Sequence, residues 1–180
     1  HHCYNGGIST RFTTNFEISG NVMYDMVGGQ HIVNLDSPVG AIVTDNLISK
    51  IQFHAIYPPT APDVLYEEGI EPSGFKITNT RDITFDGNIV AGGDGAGFET
   101  LFDVCDNTEL CSHETTEPAM GSNSVHTTLR GVFWNNNGPG DCVKIANFVS
   151  WRNIHQCVWV QTSGGVVVEN VLCVDNWSAL

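Results

Sequence analysis

The chain has 180 residues, 41% of them hydrophobic, which is enough for one domain with a buried core. Twenty Asp and Glu against seven Lys and Arg give a formal net charge of −13. Because this charge repels phosphate backbones and anionic lipid surfaces, nucleic acid is not expected as a partner. No apolar run approaches the roughly 18 residues of a membrane span, so direct membrane insertion of this segment is not expected either.

The first predicted strands are short apolar segments separated by Gly and Asn. In FEISGNVMYDMVGGQHIVNL, at 16–35, apolar residues alternate with polar ones on both sides of Gly20-Asn21. The segment GAIVTDNLISKI, at 40–51, repeats this pattern around Asp45-Asn46. The 25 residues between Asn21 and Asn46 fit one coil of a parallel β-helix.

A Pro- and acid-rich segment, YPPTAPDVLYEEGIEP, follows at 57–72 and predicts a loop insertion. It explains why the next matching asparagine, Asn88, comes 42 residues after Asn46. Its aromatic and aliphatic residues either contact a partner or hold the loop against its own domain.

The segment DITFDGNIVAGGDGAGFE, at 82–99, predicts one complete coil. Ile83 and Phe85 alternate with polar residues, and Gly87-Asn88 then ends the strand. The glycines of AGGDGAG are interpreted as corner residues, because no helix opens after them and no GK[ST] sequence follows, as a phosphate-binding loop requires.

A second loop insertion is predicted at 101–126, where strand alternation is lost. Cys105 and Cys111 flank a short polar stretch and are predicted to form a disulfide. Acids gather here, but the spacing of a calcium loop is missing, so a solvated acidic loop is favoured and no metal is predicted. The six cysteines include no CxxC pair, which favours disulfides and an oxidising compartment.

Dense strand patterns resume with VKIANFVSWRNI, QCVWVQ and VVVENVLCVDN, in which Trp151 and Trp159 are predicted to pack in or near the core. Cys157 and Cys173 lie in these strands, as buried thiols or as a bridge. Asn176 begins an N-x-S sequence and is a candidate glycan acceptor. Side-chain amides at equivalent bends are expected to stack as a coil-corner ladder. Its predicted members are Asn21, Asn46, Asn88 and Asn170.

The sequence predicts neither a catalytic site nor a cofactor. Polysaccharide-cleaving enzymes require paired carboxylates or acids beside a basic residue on one face, and the acids here are scattered over different coils. The histidines form neither HxH nor HxxxH, so local hydrogen bonding is favoured over metal binding.

Three sequence patterns carry a resemblance to a known family. They are N-x-V-A-G-x-x-x-x-G-F at 88–98, F-x-x-W-x-N at 148–153 and N-V-x-x-V-D-N at 170–176. Together they resemble the parallel β-helix region of fibrocystin and fibrocystin-L, which are large ciliary and cell-surface receptor-like proteins. The wider family includes extracellular hyaluronan-degrading proteins, but Gly28-Gly29-Gln30-His31 departs from that family's first coil and weakens any catalytic role for His31.

The expected fold is therefore all-β, a right-handed parallel β-helix (solenoid) with loop insertions at 57–72 and 101–126. Residues 1–180 are expected to form a single segment of a longer extracellular or ciliary surface protein, because the last strand lacks a polar cap. The resemblance implies a non-enzymatic structural and interaction module, with PbH1-type repeats, whose partners are other domains of the same protein, an extracellular protein or a glycan. The alternative is a hyaluronidase-like or carbohydrate-binding β-helix domain.

Overall fold

The computed structural model describes residues 7–27, 31–52, 73–78, 83–101, 119–136, 143–162 and 166–177. These residues form eighteen β-strands, and the described part of the chain contains no helix. In chain order the strands are β1 (Ile8–Arg11), β2 (Glu17–Ser19), β3 (Val22–Val27), β4 (His31–Asp36), β5 (Ile42–Thr44), β6 (Leu47–Gln52), β7 (Ser73–Thr78), β8 (Thr84–Asp86), β9 (Ile89–Gly93), β10 (Ala96–Leu101), β11 (Ala119–Met120), β12 (Asn123–His126), β13 (Arg130–Asn136), β14 (Val143–Ala146), β15 (Phe148–Trp151), β16 (Val158–Thr162), β17 (Val166–Glu169) and β18 (Leu172–Val174).

Each strand pairs in parallel with strands three places away in the chain. Sheet 1 has the order β1-β4-β7-β10-β13-β16, and sheet 3 has the order β3-β6-β9-β12-β15-β18. Sheet 2 consists of β2-β5-β8-β11, and β14 pairs with β17 in a two-stranded sheet. Three consecutive strands therefore form one coil, and six coils stack along a common axis. The chain is all-β with parallel strands in stacked sheets, an arrangement consistent with a solenoid.

The register predicted from the repeated Gly/Asp-Asn pattern is confirmed in the first three coils. Ile18, Val43 and Phe85 are in register in sheet 2, and all three side chains lie in the core. The alternation arises because every second side chain of a strand points between the sheets, where burial removes apolar surface from water.

Phenylalanine rings fill the centre of the middle coils. Phe75 and Phe98 stack with their ring centroids 5.4 Å apart, and Phe85 meets both rings edge-on. Phe148 continues the contact, with its ring centroid 5.0 Å from that of Phe98. All four side chains are fully buried, so the coils are held together mainly by apolar packing.

The coil interior is narrow where sheet 1 faces sheet 3. A Cβ atom on Gly97 would collide with the Val125 side chain, and one on Gly131 would collide with the Ser150 hydroxyl group. Cys157 follows Gly131 in the same row, since Gly131 N donates to Gln156 O and Val132 N donates to Cys157 O. In the last coil a disulfide between Cys157 and Cys173 spans this narrow point, with the Cα atoms 5.7 Å apart.

Removing this disulfide is expected to lower the free energy of unfolding by about 3 kcal/mol, because it closes a loop of 16 residues in the unfolded chain. The variant Cys157→Ala/Cys173→Ala is compared with the wild type by urea unfolding, with and without reductant. Any change in the free energy of unfolding that reductant still causes in the double variant measures the contribution of the other four cysteines. Equal stability of both proteins under oxidising conditions contradicts the prediction.

The second predicted insertion needs a corrected boundary. Within the range 101–126, residues Ala119–Met120 form β11 and Asn123–His126 form β12, and both strands continue existing sheets. The sequence does not show the alternation of Asn123 to His126, because the inward residue Asn123 is polar and leaves Val125 as the single apolar residue of the strand. The predicted insertion at 57–72 and the predicted pair Cys105 and Cys111 lie outside the described residues.

Candidate functional site

A pair of opposite charges lies on the outward side of sheet 1. Lys76 and Glu99 are in register on β7 and β10, next to the core residues Phe75 and Phe98. Lys76 Nζ lies 3.0 Å from Glu99 Oε1. Although Glu99 points away from the coil interior, it is only 1% exposed. Because a carboxylate in such surroundings is costly to desolvate, the neighbouring ammonium group offsets part of that cost.

His31 joins this pair from β4, the preceding strand of sheet 1. Its Nδ1 lies 3.7 Å from Glu99 Oε2 and 2.9 Å from Ser73 Oγ. Burial, and secondarily the charge of Lys76, lowers the pKa of His31 to about 3. The imidazole is therefore neutral at neutral pH. We call His31, Ser73, Lys76 and Glu99 the polar cluster.

The polar cluster lacks the geometry of a serine hydrolase. In such an enzyme the hydroxyl and the carboxylate bind opposite nitrogens of the imidazole, so that one nitrogen accepts the hydroxyl proton while the carboxylate orients the ring. Here the Ser73 hydroxyl and the Glu99 carboxylate both approach Nδ1 of His31. Ser73 is also fully buried, so its oxygen has no path to an external substrate. The arrangement links three neighbouring strands rather than presenting a nucleophile.

Acid is expected to destabilise the fold through His31. Its folded-state pKa of about 3 lies below the ordinary pKa of 6.5 for histidine, so between these pH values the unfolded chain binds a proton that the folded chain does not. The contribution of neutral His31 to the free energy of unfolding is complete above pH 6.5 and is lost as the pH falls towards 3. At about pH 5 the loss amounts to about 2 kcal/mol.

Urea unfolding between neutral pH and about pH 5 measures this effect. The variant His31→Gln is expected to lose less stability on acidification than the wild type, because the titrating group is gone. His155→Gln is the matched control, since His155 is exposed. The same pH dependence in the His31 variant and the wild type contradicts the assignment.

An aromatic group lies beside the polar cluster in the same outward row. Phe133 is in register with Glu99, and Trp159 with Phe133. The rings of Phe133 and Trp159 stack with centroids 4.9 Å apart, and the Arg130 guanidinium lies 3.9 Å from the Trp159 ring. Of the core or near-core packing predicted for Trp159 and Trp151, the structure shows packing outside the core. Both are half-buried on outward faces, where Trp151 stacks with His126 at 4.4 Å.

Three of the four asparagines predicted for the coil-corner ladder lie in one row. Asn21 Nδ2 donates to Asn46 Oδ1, and Asn46 Nδ2 donates to Asn88 Oδ1, both at 2.9 Å. Asn88 Nδ2 then donates to Asn123 Oδ1 at 3.1 Å, so the fourth member is Asn123. The row satisfies buried polar groups at the bend between sheets 2 and 3.

Asn170, the other predicted member, lies one position earlier in its coil. Its Nδ2 donates to Asn147 Oδ1 at 3.3 Å, and both residues have positive φ, 52° and 58°. They correspond to Asp45 and Gly87, which have φ values of 56° and 66°. Asn170 was misplaced because Asn suits both positions, as a ladder amide and as a residue that tolerates the left-handed conformation.

Asn176 belongs to a second row at the bend between sheets 3 and 1. Asn153 Nδ2 donates to Asn176 Oδ1 at 2.8 Å, and Asn153 Oδ1 accepts from Thr128. Asn176 Nδ2 donates to Ser150 O and Val174 O. A glycan on Asn176 Nδ2 would replace one of its two hydrogens and so remove one of these two hydrogen bonds. Glycosylation of Asn176 stays a prediction.

Comparison with known proteins finds sequence similarity to fibrocystin. Fibrocystin of the mouse is 27% identical to the chain over 156 residues, which is 80% of this chain and 4% of that protein. Fibrocystin of the dog is 24% identical over 177 residues, 98% of this chain and 4% of that protein. The chain resembles fibrocystin. No family model matches it, and no solved structure matches it significantly.

The chain thus spans about 4% of the length of the curated fibrocystins that it matches. Within the described residues, no three His, Cys, Asp or Glu side chains are grouped so as to hold a metal ion. The same part of the chain contains no helix long and apolar enough to cross a membrane.

Proposed function

We propose that the chain is a right-handed parallel β-helix that acts as a non-enzymatic structural and interaction module of a large fibrocystin-like surface or ciliary protein. The resemblance to fibrocystin supports the family, and the six stacked coils support the solenoid. Residues 1–180 form one unit in this proposal, with insertions at 57–72 and between β10 and β11.

The observation that carries the structural role is the burial of the side chains that could otherwise act as a catalytic acid or nucleophile. Glu99 and Ser73 are almost fully removed from solvent, and the contacts of the polar cluster join β4, β7 and β10 to one another. A catalytic acid or nucleophile has to reach the substrate within hydrogen-bond distance. Side chains whose polar groups bind neighbouring strands instead indicate that this part of the chain acts as a rigid scaffold.

The disulfide supports the proposed compartment, and the charge bears on the proposed partners. A Cys157–Cys173 bridge persists in oxidising surroundings, which supports an extracellular location. A net charge of −13 keeps the surface soluble and disfavours polyanionic ligands that are held by charge. The proposed partners are other domains of the same polypeptide, with an extracellular protein or a glycan as further classes.

Surface labelling of cells that produce the protein tests this proposal. An antibody to the chain is expected to label non-permeabilised cells, and Cys157 and Cys173 are expected to resist alkylation until reductant is added. The variant Cys157→Ala/Cys173→Ala controls for the alkylation signal. Labelling only after permeabilisation, together with alkylation of both thiols without reductant, contradicts an extracellular module.

A further inference from the structure

The outward face of sheet 3 carries no charged residue at the positions between its two bends. Two rows of side chains point away from the core along its six strands. The first row consists of Val22, Leu47, Ile89, Ser124, Val149 and Leu172, and the second of Tyr24, Ser49, Ala91, His126, Trp151 and Val174. We call these two rows the apolar face. Neither row contains Asp, Glu, Lys or Arg, although the chain has a net charge of −13.

Several large side chains of the apolar face are open to solvent. Val22 is 67% exposed, Leu172 56% and Ile89 39%, and Tyr24 and Val174 are exposed as well. Lys50 and Asp25 border the face and pair with each other at 2.8 Å. An apolar centre with a paired, polar border is the usual make-up of a surface that binds another protein surface.

Sheets 1 and 2 lack this property. Sheet 1 presents Arg11, Asp36, Lys76 and Glu99 on its outward side, and sheet 2 presents Glu17 and Asp86. The difference is therefore specific to one side of the stack and does not reflect the overall composition. Because burial of exposed apolar side chains is favourable, an apolar sheet face that the described residues leave open to solvent suits a covering surface.

We infer that the apolar face is a docking site for an uncharged surface of another domain of the same polypeptide. This inference rests on the proposed function, in which the chain is one segment of a long surface protein. It adds that the contact is made by sheet 3 and that the surface in contact carries no charge.

The size of the apolar face argues against a second copy of the chain as the occupant. Six strands at about 4.8 Å spacing and two outward rows give a footprint on the order of 300 Å². A stable complex of separate chains buries about 800 Å² per partner. A domain on the same polypeptide needs less area, because the linker keeps its effective concentration high.

Charge points in the same direction. A second copy would bring a further net charge of −13 against this one, and the two would repel each other. His126, the one histidine in the two rows, has its pKa lowered by burial, so it adds no positive charge at neutral pH. A covering surface of Val, Ile, Leu and aromatic side chains matches this face.

Photo-crosslinking tests the inference in the polypeptide as cells produce it. A benzophenone amino acid replaces Ile89 on the apolar face or, as the control, Ile42 on the outward side of sheet 2. The two isoleucines are similarly exposed, at 39% and 44%, but Ile42 is in register with Glu17. Cross-links from position 89 are expected to reach peptides outside these 180 residues in the same polypeptide, and position 42 is expected to give none.

Mixing unlabelled and heavy-isotope-labelled polypeptides separates links within one molecule from links between two. Mixed-label links, links to a different protein or an absence of links from position 89 would each overturn the inference. Surface labelling of the cells is measured on the same variants. Normal surface labelling without the expected cross-links refutes the docking site alone. If the wild-type protein is not labelled at the cell surface, the proposed function is refuted.

Discussion

Asn88→Ala is expected to lower the free energy of unfolding by about 5 kcal/mol, the largest effect of any single substitution considered. Asn88 is fully buried, and its Oδ1 accepts from both the backbone N and Nδ2 of Asn46. Its Nδ2 donates to Val43 O and Asn123 Oδ1. Alanine removes these bonds and leaves their partners in the coil corner, where water has poor access.

Asn21→Ala is the matched control, since it makes the same change at the exposed end of the same row. Water can replace the lost amide there, so the expected loss is about 1 kcal/mol. Urea unfolding of both variants measures the difference. Equal losses would show that the buried row adds nothing beyond the loss of one side chain.

Lys76→Met is expected to cost about 4 kcal/mol, because it removes a positive charge 3.0 Å from a buried carboxylate. The methionine side chain keeps most of the apolar contacts of the lysine stem, so the loss reports the charge. Adding Glu99→Met to this variant removes the carboxylate as well. The double variant is therefore expected to recover most of the lost stability.

Urea unfolding of the two single variants and the double variant completes a double-mutant cycle. A loss below about 0.5 kcal/mol for Lys76→Met would place the pair among surface ion pairs of little consequence. A double variant that is less stable than Lys76→Met would show that the carboxylate stabilises the fold without its lysine. Either result contradicts the role assigned to the polar cluster.

The repeat and its register could be predicted from sequence because every coil repeats the same local pattern. Gly20-Asn21, Asp45-Asn46 and Gly87-Asn88 each place a residue with positive φ before a ladder amide, and the structure aligns the three pairs. Asn123 lacked this signal, because it follows Ser122 and lies inside a range predicted to be a loop. The buried positions of this strand are Asn123 and Val125, and a polar residue at the first of them conceals the apolar alternation.

The polar cluster could not be predicted, because its members come from three coils and one of the intervals contains an insertion. His31 and Ser73 are in register although 42 residues separate them. Lys76 and Glu99 lie one coil apart and carry opposite charges, and this spacing is the one sequence signal that indicates an ion pair between them. Burial of the outward side of sheet 1 was the missing fact, since outward residues of a coil are expected to be solvated.

The Cys157–Cys173 bridge was left open for a similar reason. Cys157 directly precedes β16 of sheet 1 and Cys173 lies in β18 of sheet 3, and their separation of 16 residues does not indicate that they face each other across the coil. The structure adds that Gly131 holds the same row one coil earlier, where a Cβ atom would meet Ser150. A row of small residues on one sheet thus marks where a disulfide fits.

The most direct test of a non-enzymatic module is incubation of the purified protein with hyaluronan of defined length, followed by sizing of the products. The account predicts an unchanged length distribution for the wild type and for Glu99→Gln alike, because the acid and the hydroxyl of the polar cluster are buried. Shortening of hyaluronan by the wild type that is lost in Glu99→Gln would contradict it.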